Sequence, residues 1–375
     1  MEDKKDEPCY TKSVIPVGPV YPALKEPVHF KVTLNREKIV DVDLRLGFVH
    51  RGIEKLAQNR NLVQTTYLVE RICGICSHSH STCFVQAIEE IGGIELSERA
   101  SYIRTILSEM ERLHSHLLWI GVAAYGIGFD TAFMYSMRVR EKIMDWFERI
   151  TGNRVHHSIN TFGGVRNDLT PDSMNDLQNF MKEAEKICSY LLDIIHSKTV
   201  EKRLSATGIL SKDVAKMLCV VGPTARASGV ETDVRKDDPY AAYGDLKKNF
   251  SKIVKTKGDA LSRAEVRVLE MFESVNLIQT ALDQLPSGQL GIDNSLLKVA
   301  RKIPEGEAIS RIEAPRGELL HFVKSNGKNG LNRLKIRTPT LANILCLKNL
   351  LVGREVADIP VIVSSIDPCM SCADR

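Results

Sequence analysis

Arg71-Ile72-Cys73-Gly74-Ile75-Cys76-Ser77-His78-Ser79-His80 and Asp367-Pro368-Cys369-Met370-Ser371-Cys372-Ala373-Asp374-Arg375 are the two stretches on which the reading of this sequence turns. Each carries a CxxC pair. A CxxC turn presents two sulfurs to one centre, so two such turns make a set of four thiolates. Soft thiolates select nickel, copper(I), zinc or the iron of iron–sulfur sites over hard cations. Spacing alone leaves a four-cysteine structural zinc site open beside redox and catalytic uses. Nearly the whole chain separates the two pairs. If they share a metal, the polypeptide must fold back on itself, which predicts one compact domain over 1–375.

The rest of the composition suits such a domain. Of 375 residues, 43% are hydrophobic and 26% charged, enough material for a large core, whereas closed zinc sites usually hold together small modules that lack one. The net charge of +4 is small, and the Lys and Arg residues are scattered, so no nucleic-acid footprint is expected. Met1 to Pro8 is short and charged, unlike a secretory leader. The least polar stretch, Leu117 to Phe129, is interrupted by Gly121, Gly126 and Gly128 and runs into Asp130. It reads as a buried core helix with a break, because a membrane span needs roughly 20 uninterrupted apolar residues. The nine cysteines are odd in number and not spaced as a disulfide framework. Outside the two pairs, Cys9, Cys83, Cys188, Cys219 and Cys346 read as ordinary core or surface residues of a protein in a reducing compartment.

Periodicity predicts a mainly α fold with small β-regions. His29–Leu34 and Ile39–Leu46 flank the polar turn Asn35-Arg36-Glu37-Lys38, with Val40, Val42, Leu44 and Leu46 alternating against Asp41, Asp43 and Arg45 as in a half-buried strand. This gives a β-rich segment over about 1–50. A helical core follows over about 51–300. Ser97 is a natural N-cap ahead of Ile103, Ile106, Leu107, Met110, Leu113 and Leu117. Further helices are expected over Phe133–Ile150 (ending near Gly152), from Thr170-Pro171 onward, and over Asp259–Leu285, lengths that suit a bundle of long packed helices. Over about 301–375 a Gly- and charge-rich hairpin-like excursion (Ile309–Ile336), a short helix (Leu341–Leu350) and a β-like run (Ile359–Ser365) lead into the second metal motif.

The flanking residues make the motifs specific. RxCGxCxxxH and DPCxxCxxR together resemble the two nickel-binding motifs of [NiFe]-hydrogenase large subunits. His50-Arg51-Gly52-Ile53-Glu54-Lys55, Glu313-Ala314-Pro315-Arg316-Gly317-Glu318 and Arg337-Thr338-Pro339-Thr340 stand in the order and places that family would have them. The opening Gly18-Pro19-Val20-Tyr21-Pro22-Ala23-Leu24-Lys25-Glu26-Pro27 and the terminal Arg375, where many branches end in His, resemble the energy-converting, membrane-associated branch. That branch is related to the 49 kDa-type subunit of complex I, which shares an HRGxEK-like segment but lacks the four cysteines. The likeness covers essentially the whole chain and implies the long-helix bundle of the hydrogenase large subunit.

The resemblance also implies roles. Cys73 and Cys369 would bind nickel terminally, and Cys76 and Cys372 would bridge it to an iron carrying cyanide and carbon monoxide. His80 would donate to the Cys76 sulfur. Arg316 would overhang the open coordination position, paired with Asp367. Pro315, Pro339 and Thr340 would surround the diatomic ligands, with the Thr340 hydroxyl donating to a cyanide. Protons would leave through Cys369 and Glu26, with Glu54 a second candidate. Branches ending in His hold magnesium with the acid matching Glu54; here a Glu54–Arg375 ion pair is expected instead, and magnesium is not assigned. Tyr21 stands where this branch often has His, and Tyr125-Gly126 where an acid is common, so neither segment receives a proton role. His78 reads as an ordinary packed or exposed histidine, and His114 and His116 as packing or hydrogen-bonding residues of the bundle rather than ligands.

No cysteine cluster remains for an electron-transfer chain, so the resemblance implies a partner small subunit with a [4Fe–4S] cluster. It further implies membrane ion-translocating subunits, a ferredoxin acting through that small subunit, dihydrogen and protons as substrates, and a peripheral place on the cytoplasmic side of the cell membrane. An end directly after the second motif is what proteolytic maturation would leave. Two other readings stand beside this one: a complex I-like, quinone-reactive subunit, and a non-catalytic four-cysteine zinc protein.

Overall fold

The computed structural model describes residues 12–21, 26–291 and 296–375. Cys9, the opening Met1 to Pro8 and Pro22 to Lys25 of the N-terminal motif lie outside these residues. The chain begins with a three-stranded antiparallel sheet, Ser13–Val17, His29–Asn35 and Lys38–Arg45, in sequence order. Its inner face carries Phe30, Val32, Leu34, Ile39 and Val42. The expected alternation fails at Val40, which is 38% exposed. Thr33 pairs with Asp41 and Leu34 with Ile39, so Val40 is an inserted residue without a cross-strand partner and the bulge turns it outward.

Five long helices among the described residues form the body: Ser77–Gly92, Glu98–Gly126, Asp130–Thr151, Pro171–Ile195 and Ala260–Asp283. Their starts are set by side chains that accept otherwise unpaired backbone N–H groups: Ser97 from Ala100, Thr170 from Ser173, Asp259 from Ser262. Gly93 and Gly152 end two of them in the left-handed conformation. Helix Glu98–Gly126 packs against Asp130–Thr151 and Ala260–Asp283, and the last also against Pro171–Ile195. The break expected near Gly126–Gly128 is the connection of the first two, an antiparallel helical hairpin. No helix among the described residues is long and apolar enough to cross a membrane.

Two expectations for the C-terminal part need correction. The region around Ile309–Ile336 is not an excursion: Glu305–Ala314, Gly317–Asn326 and Leu331–Arg337 form an antiparallel meander packed on helix Ser77–Gly92. Ile312, Leu319, Val323, Leu334 and Ile336 alternate inward and join the main core. Ile359–Ser365 is a helix, not a strand, with Pro360 in its first turn. Ile359, Val361, Ile362 and Val363 are all buried, and a short run apolar on every face has no period to separate strand from helix. The short helix expected over Leu341–Leu350 is present as two pieces, Pro339–Asn343 and Cys346–Leu351.

The core divides into two clusters. The larger gathers the helical body and the inner face of the meander and includes Cys73, Cys76, Cys369 and Cys372. The smaller lies between the N-terminal sheet and the chain's last elements and includes Phe30, Ile39, Leu351, Ile366 and Met370. The second CxxC therefore sits on the seam, its sulfurs in one cluster and Met370 in the other.

Beneath this seam runs a buried ion network. Arg226 reaches Glu270 and Glu313 (both 2.8 Å) and more distantly Asp233 (3.6 Å), Arg235 reaches Asp233 (2.7 Å) and Glu109 (3.1 Å), and Arg112 reaches Glu109 (3.2 Å). It ties helices Glu98–Gly126 and Ala260–Asp283 to strand Glu305–Ala314. Burial alone would raise these carboxyls, but the guanidinium groups hold Glu109 and Glu270 below the ordinary range and Asp233 down to about 2. For Glu313 burial wins and its carboxyl is raised. Arg226→Met strands two buried acids, and thermal or denaturant unfolding should register a loss of about 3–5 kcal/mol. A depressed carboxyl stabilises the fold above its unfolded value of about 4 and loses that contribution as pH falls through its folded value. The variant should therefore have a shallower acid limb in its stability–pH curve; a limb as steep as wild type would rule out Arg226 as the hub.

Candidate metal centre

The first CxxC follows directly on helix Leu62–Glu70, whose last turn Arg71 closes. Cys76 is the N-cap of Ser77–Gly92, and the Ile75 N–H donates to Sγ of Cys73 (3.3 Å), so the turn already presents its sulfurs together. The second CxxC follows Asp367, whose φ of 54° bends the chain sharply, and opens the short helix Met370–Asp374. That helix begins on a carboxylate. Glu26 accepts from the Met370 N–H (2.5 Å), the Ser371 N–H (3.1 Å) and the Ser371 hydroxyl.

Arg51 joins the two turns, donating to the carbonyls of Arg71 (2.8 Å) and Ile72 (2.6 Å) on one side and Ser371 (3.3 Å) on the other. The expected Glu54–Arg375 pair is present, with Nε 2.9 Å from Oε1, and Glu54 also accepts from the Ile336 N–H (3.0 Å). His50 Nδ1 lies 2.6 Å from the Asp374 carbonyl oxygen. The final residues are thus held from three directions.

The outcome is the convergence the sequence demanded. Sγ of Cys73 lies 3.4 Å from Sγ of Cys369, and Sγ of Cys76 lies 3.4 Å from Sγ of Cys372. The sulfurs of Cys73, Cys76 and Cys372 all lie within 4.8 Å of one another. All four side chains are buried. Hydrogen bonds from Cys369, Cys372 and Cys76 hold the Cys73 thiol well below its ordinary value. Contacts with Cys369, Cys73 and Cys76, reinforced by burial, push Cys372 well above. One thiolate forms easily in this cluster and further ones repel it, so four ionised sulfurs require a cationic centre among them. The donor set fits soft divalent metal.

Arg316 forms the wall above it. Its Nε donates to the Asp367 carbonyl (2.9 Å), Nη2 to Asp367 Oδ1 (2.8 Å) and Nη1 to Ser115 Oγ (3.2 Å). The Arg316–Asp367 pairing is the one expected. Gly317, at φ 130°, lets this loop lie against Gly222: a Cβ at Gly317 would be 2.8 Å from the Gly222 nitrogen. A cavity of about 150 Å³ opens between Glu26, Cys73, Trp119, Arg316, Asp367 and Cys369. Pro315, Pro339 and Thr340 are buried nearby, and the Thr340 Oγ1 accepts from the Cys369 N–H (3.1 Å), leaving its own hydrogen free to donate.

His80 does not meet Cys76, as expected, but Cys372, with Nε2 3.6 Å from Sγ. Its backbone N–H already binds the Cys76 carbonyl in the first helical turn (3.1 Å), and the ring leans across to the opposite motif. Three contributors escaped the sequence reading. His321 contacts His80; a polar residue in phase with the inward Leu319 and Val323 is the signal that marks it. Glu111 accepts from the His78 N–H (2.7 Å), the Ser79 N–H (3.0 Å) and the Ser79 hydroxyl, fixing the start of Ser77–Gly92, and burial pushes its carboxyl up to about 8. Arg51 belongs to a quoted motif, but its bridging part depends on the fold.

The remaining candidates stay apart from the sulfurs. His78 is packed, with Nε2 3.2 Å from the Arg104 carbonyl oxygen; His116 bonds Glu270 and His114 bonds Arg140. Cys83, Cys188 and Cys346 are buried and Cys219 is exposed. Tyr21 is half-buried and Tyr125 exposed.

The family profile of the respiratory-chain NADH dehydrogenase 49 Kd subunit matches residues 126–302 and 295–375, and that of nickel-dependent hydrogenase matches residues 51–121. The membrane-bound hydrogenase subunit alpha of Pyrococcus furiosus is 42% identical over 96% of this chain and 87% of its own length. The chain belongs to this nickel-dependent hydrogenase and 49 kDa subunit family. The carbon monoxide-induced hydrogenase of Rhodospirillum rubrum is 39% identical over 96% of this chain and 99% of its own. Among solved structures, a chain of the membrane-bound sulfane sulfur reductase, an archaeal respiratory membrane complex, superposes with a TM-score of 0.91 at 34% identity, covering 97% of this chain and 98% of that one. Its architecture is the mainly helical fold expected from the sequence. Family membership makes this an oxidoreductase-family subunit related to parts of membrane complexes.

If the four sulfurs form one site, cobalt(II) titrated into the purified chain should develop a sulfur-to-metal charge-transfer absorption. Both Cys73→Ser and Cys372→Ser should weaken it. Unchanged intensity in either variant would mean that the altered motif gives no sulfur to the ion.

Proposed function

We propose that this chain is the catalytic subunit of a [NiFe]-hydrogenase in an energy-converting membrane complex, reducing protons to dihydrogen with electrons from a reduced ferredoxin-type carrier and returning electrons to that carrier when it runs in reverse. The observation that carries this reading is the meeting of four buried sulfurs, two from each end of the chain, beside a fixed guanidinium. Cys73, Cys76, Cys369 and Cys372 would together hold nickel and an iron bearing cyanide and carbon monoxide. When bound, such a pair supplies the electron-accepting capacity that splits dihydrogen heterolytically.

The protein's own groups handle what surrounds that step. Arg316, fixed by Asp367 and Ser115, keeps a permanent positive charge on the cavity wall, since a guanidinium does not give up its proton. The Thr340 hydroxyl offers its hydrogen to a diatomic ligand, and Pro315 and Pro339 keep the surroundings apolar. Sγ of Cys369 receives the departing proton, and the Glu26 carboxylate, which lines the same cavity, passes it outward. The Glu54–Arg375 ion pair takes the place of a magnesium ion. Electrons leave to a small subunit with a [4Fe–4S] cluster, and membrane ion-translocating subunits hold the pair on the cytoplasmic side. A quinone-reactive subunit has no use for four converging thiols. A zinc reading leaves the Arg316–Asp367 pair and the adjoining cavity without purpose.

Metal analysis of the purified complex should find nickel with iron, and infrared spectra should contain cyanide and carbon monoxide stretches; zinc alone, or no metal, would sink the proposal. Cys369→Ser should abolish hydrogen turnover. Glu26→Gln keeps an acceptor for the Met370 and Ser371 amides, so it should leave the metals bound while slowing hydrogen–deuterium exchange by on the order of 10²-fold, the usual contribution of a positioned proton-transfer group. Wild-type exchange in that variant would move the relay elsewhere, with Glu54 next in line.

A further inference from the structure

The His80 ring has two partners, and following the protons between them gives a role to a residue outside both cysteine motifs. Nε2 of His80 lies 3.6 Å from Sγ of Cys372, and its Nδ1 lies 3.2 Å from Nε2 of His321. Both rings are fully buried, with centroids 5.5 Å apart and planes inclined by 40°. Nδ1 of His321 is buried without a hydrogen-bond partner among the described residues. Strand Gly317–Asn326 points His321 inward between Leu319 and Val323, away from water. We propose that His321 is a positioning residue whose Nε2–H donates to Nδ1 of His80, fixing the tautomer in which His80 directs an N–H at the sulfur of Cys372.

A neutral imidazole has one N–H and one lone pair, so the pair of rings has two self-consistent arrangements. In the first, His321 donates to His80 and His80 donates onward to sulfur. The only group left unpaired is a lone pair on His321 Nδ1. In the second, His80 donates from Nδ1 to His321. The Nε2 lone pair of His80 then faces the electron-rich sulfur, and the proton on His321 Nδ1 is buried with no acceptor. Leaving a buried polar group unsatisfied costs roughly 1–3 kcal/mol, and orphaned buried N–H groups are rarer than under-satisfied acceptors. Both ends of the chain of contacts therefore select the first arrangement. Among the described residues no carboxylate hydrogen-bonds to either ring, so nothing anionic from that source competes for the protons.

The consequence for reactivity rests on the hydrogenase reading above, because it takes Cys372 to be a metal ligand. An N–H···S bond draws electron density from a thiolate; weakening it makes the sulfur a stronger donor to the metal. His321 would thus set the electron richness of the centre through His80 without touching a ligand.

Two measurements test this. In the full chain labelled with ring-¹⁵N histidine and loaded with zinc, a diamagnetic cation that keeps the sulfurs ionised, His80 and His321 should both carry their proton on Nε2. A proton on Nδ1 of His80 overturns the proposal. In the metal-loaded complex, His321→Leu removes the donor, while His321→Gln keeps an amide N–H in nearly the same place. The leucine variant should shift the cyanide and carbon monoxide stretches to lower wavenumber and lose roughly 10-fold in activity, as supporting residues of metal ligands do. The glutamine variant should stay near wild type. Bands unmoved by the leucine change overturn the proposal. Wild-type protein with no such bands would sink the hydrogenase reading instead, and the tautomers measured on the zinc-loaded chain would then decide the His80–His321 assignment by themselves.

Discussion

Thiolates held in contact inside a protein repel one another: two unit charges about 4 Å apart interact by about 4 kcal/mol at the effective dielectric of a protein near its surface, and more in a drier interior. Cys73, Cys76, Cys369 and Cys372 are brought to such separations from the two ends of the chain. Hydrophobic burial brings them there, since all four lie within the larger core cluster, but it is non-directional and cannot set the sulfur geometry. Directional contacts from residues remote in sequence do that. The fold is organised so that two short turns face each other at one spot, where a cation would relieve the repulsion among ionised sulfurs.

The second turn shows how much help this takes. Met370–Asp374 is a single helical turn, too short to be stable alone, because helix nucleation fixes several residues for one hydrogen bond. Glu26 satisfies its first amides, Arg51 clasps its Ser371 carbonyl together with the first turn, and Glu54 and His50 secure Arg375 and Asp374. Glu26, His50, Arg51 and Glu54 all come from the chain's first residues. A group that appears in a metal-site motif is thus also part of the scaffold, and Glu26 has both aspects at once: cap of the helix that carries Cys369 and Cys372, and polar wall of the cavity beside Cys369.

What the sequence disclosed follows from what is local. Ser97, Thr170 and Asp259 each cap a helix within three residues of themselves, so those starts were legible, as were the hairpin at Asn35–Lys38 and the end at Gly152. The motifs revealed the four sulfurs and the Arg316–Asp367 and Glu54–Arg375 pairs because the family likeness carries their three-dimensional relation with it. Readings failed where tertiary context decides. Val40 is turned outward by a register shift that no single strand displays, and Ile359–Ser365 lacks a period because every side is covered. The motif places His80 beside the sulfur nearest in sequence, whereas its backbone N–H binds the Cys76 carbonyl and the ring crosses to Cys372. The Arg226 hub could not be seen in advance at all, since its partners come from a helix, a loop and a strand that only folding brings together.

The same separation of scaffold from chemistry bears on the family. Relatives whose names speak of hydrogen and of sulfane sulfur share this backbone closely, so the backbone does not choose the reaction. The buried ion network and the anchors of the final turn would serve any of these chemistries, because the network holds two helices to a strand and the anchors act on the position of the second motif and not on what it binds. What is left to differ is the immediate surroundings of the sulfurs: the Arg316 guanidinium on the cavity wall, the Thr340 hydroxyl beside Cys369 and the imidazole that touches Cys372. Of these, Arg316 is held by Asp367 and Ser115, and His80 is met by His321. A centre whose ligands are fixed by the scaffold has its electron density left to adjust through such contacts. On this view the inward-facing histidine of the meander marks where one fold can be tuned without being rebuilt.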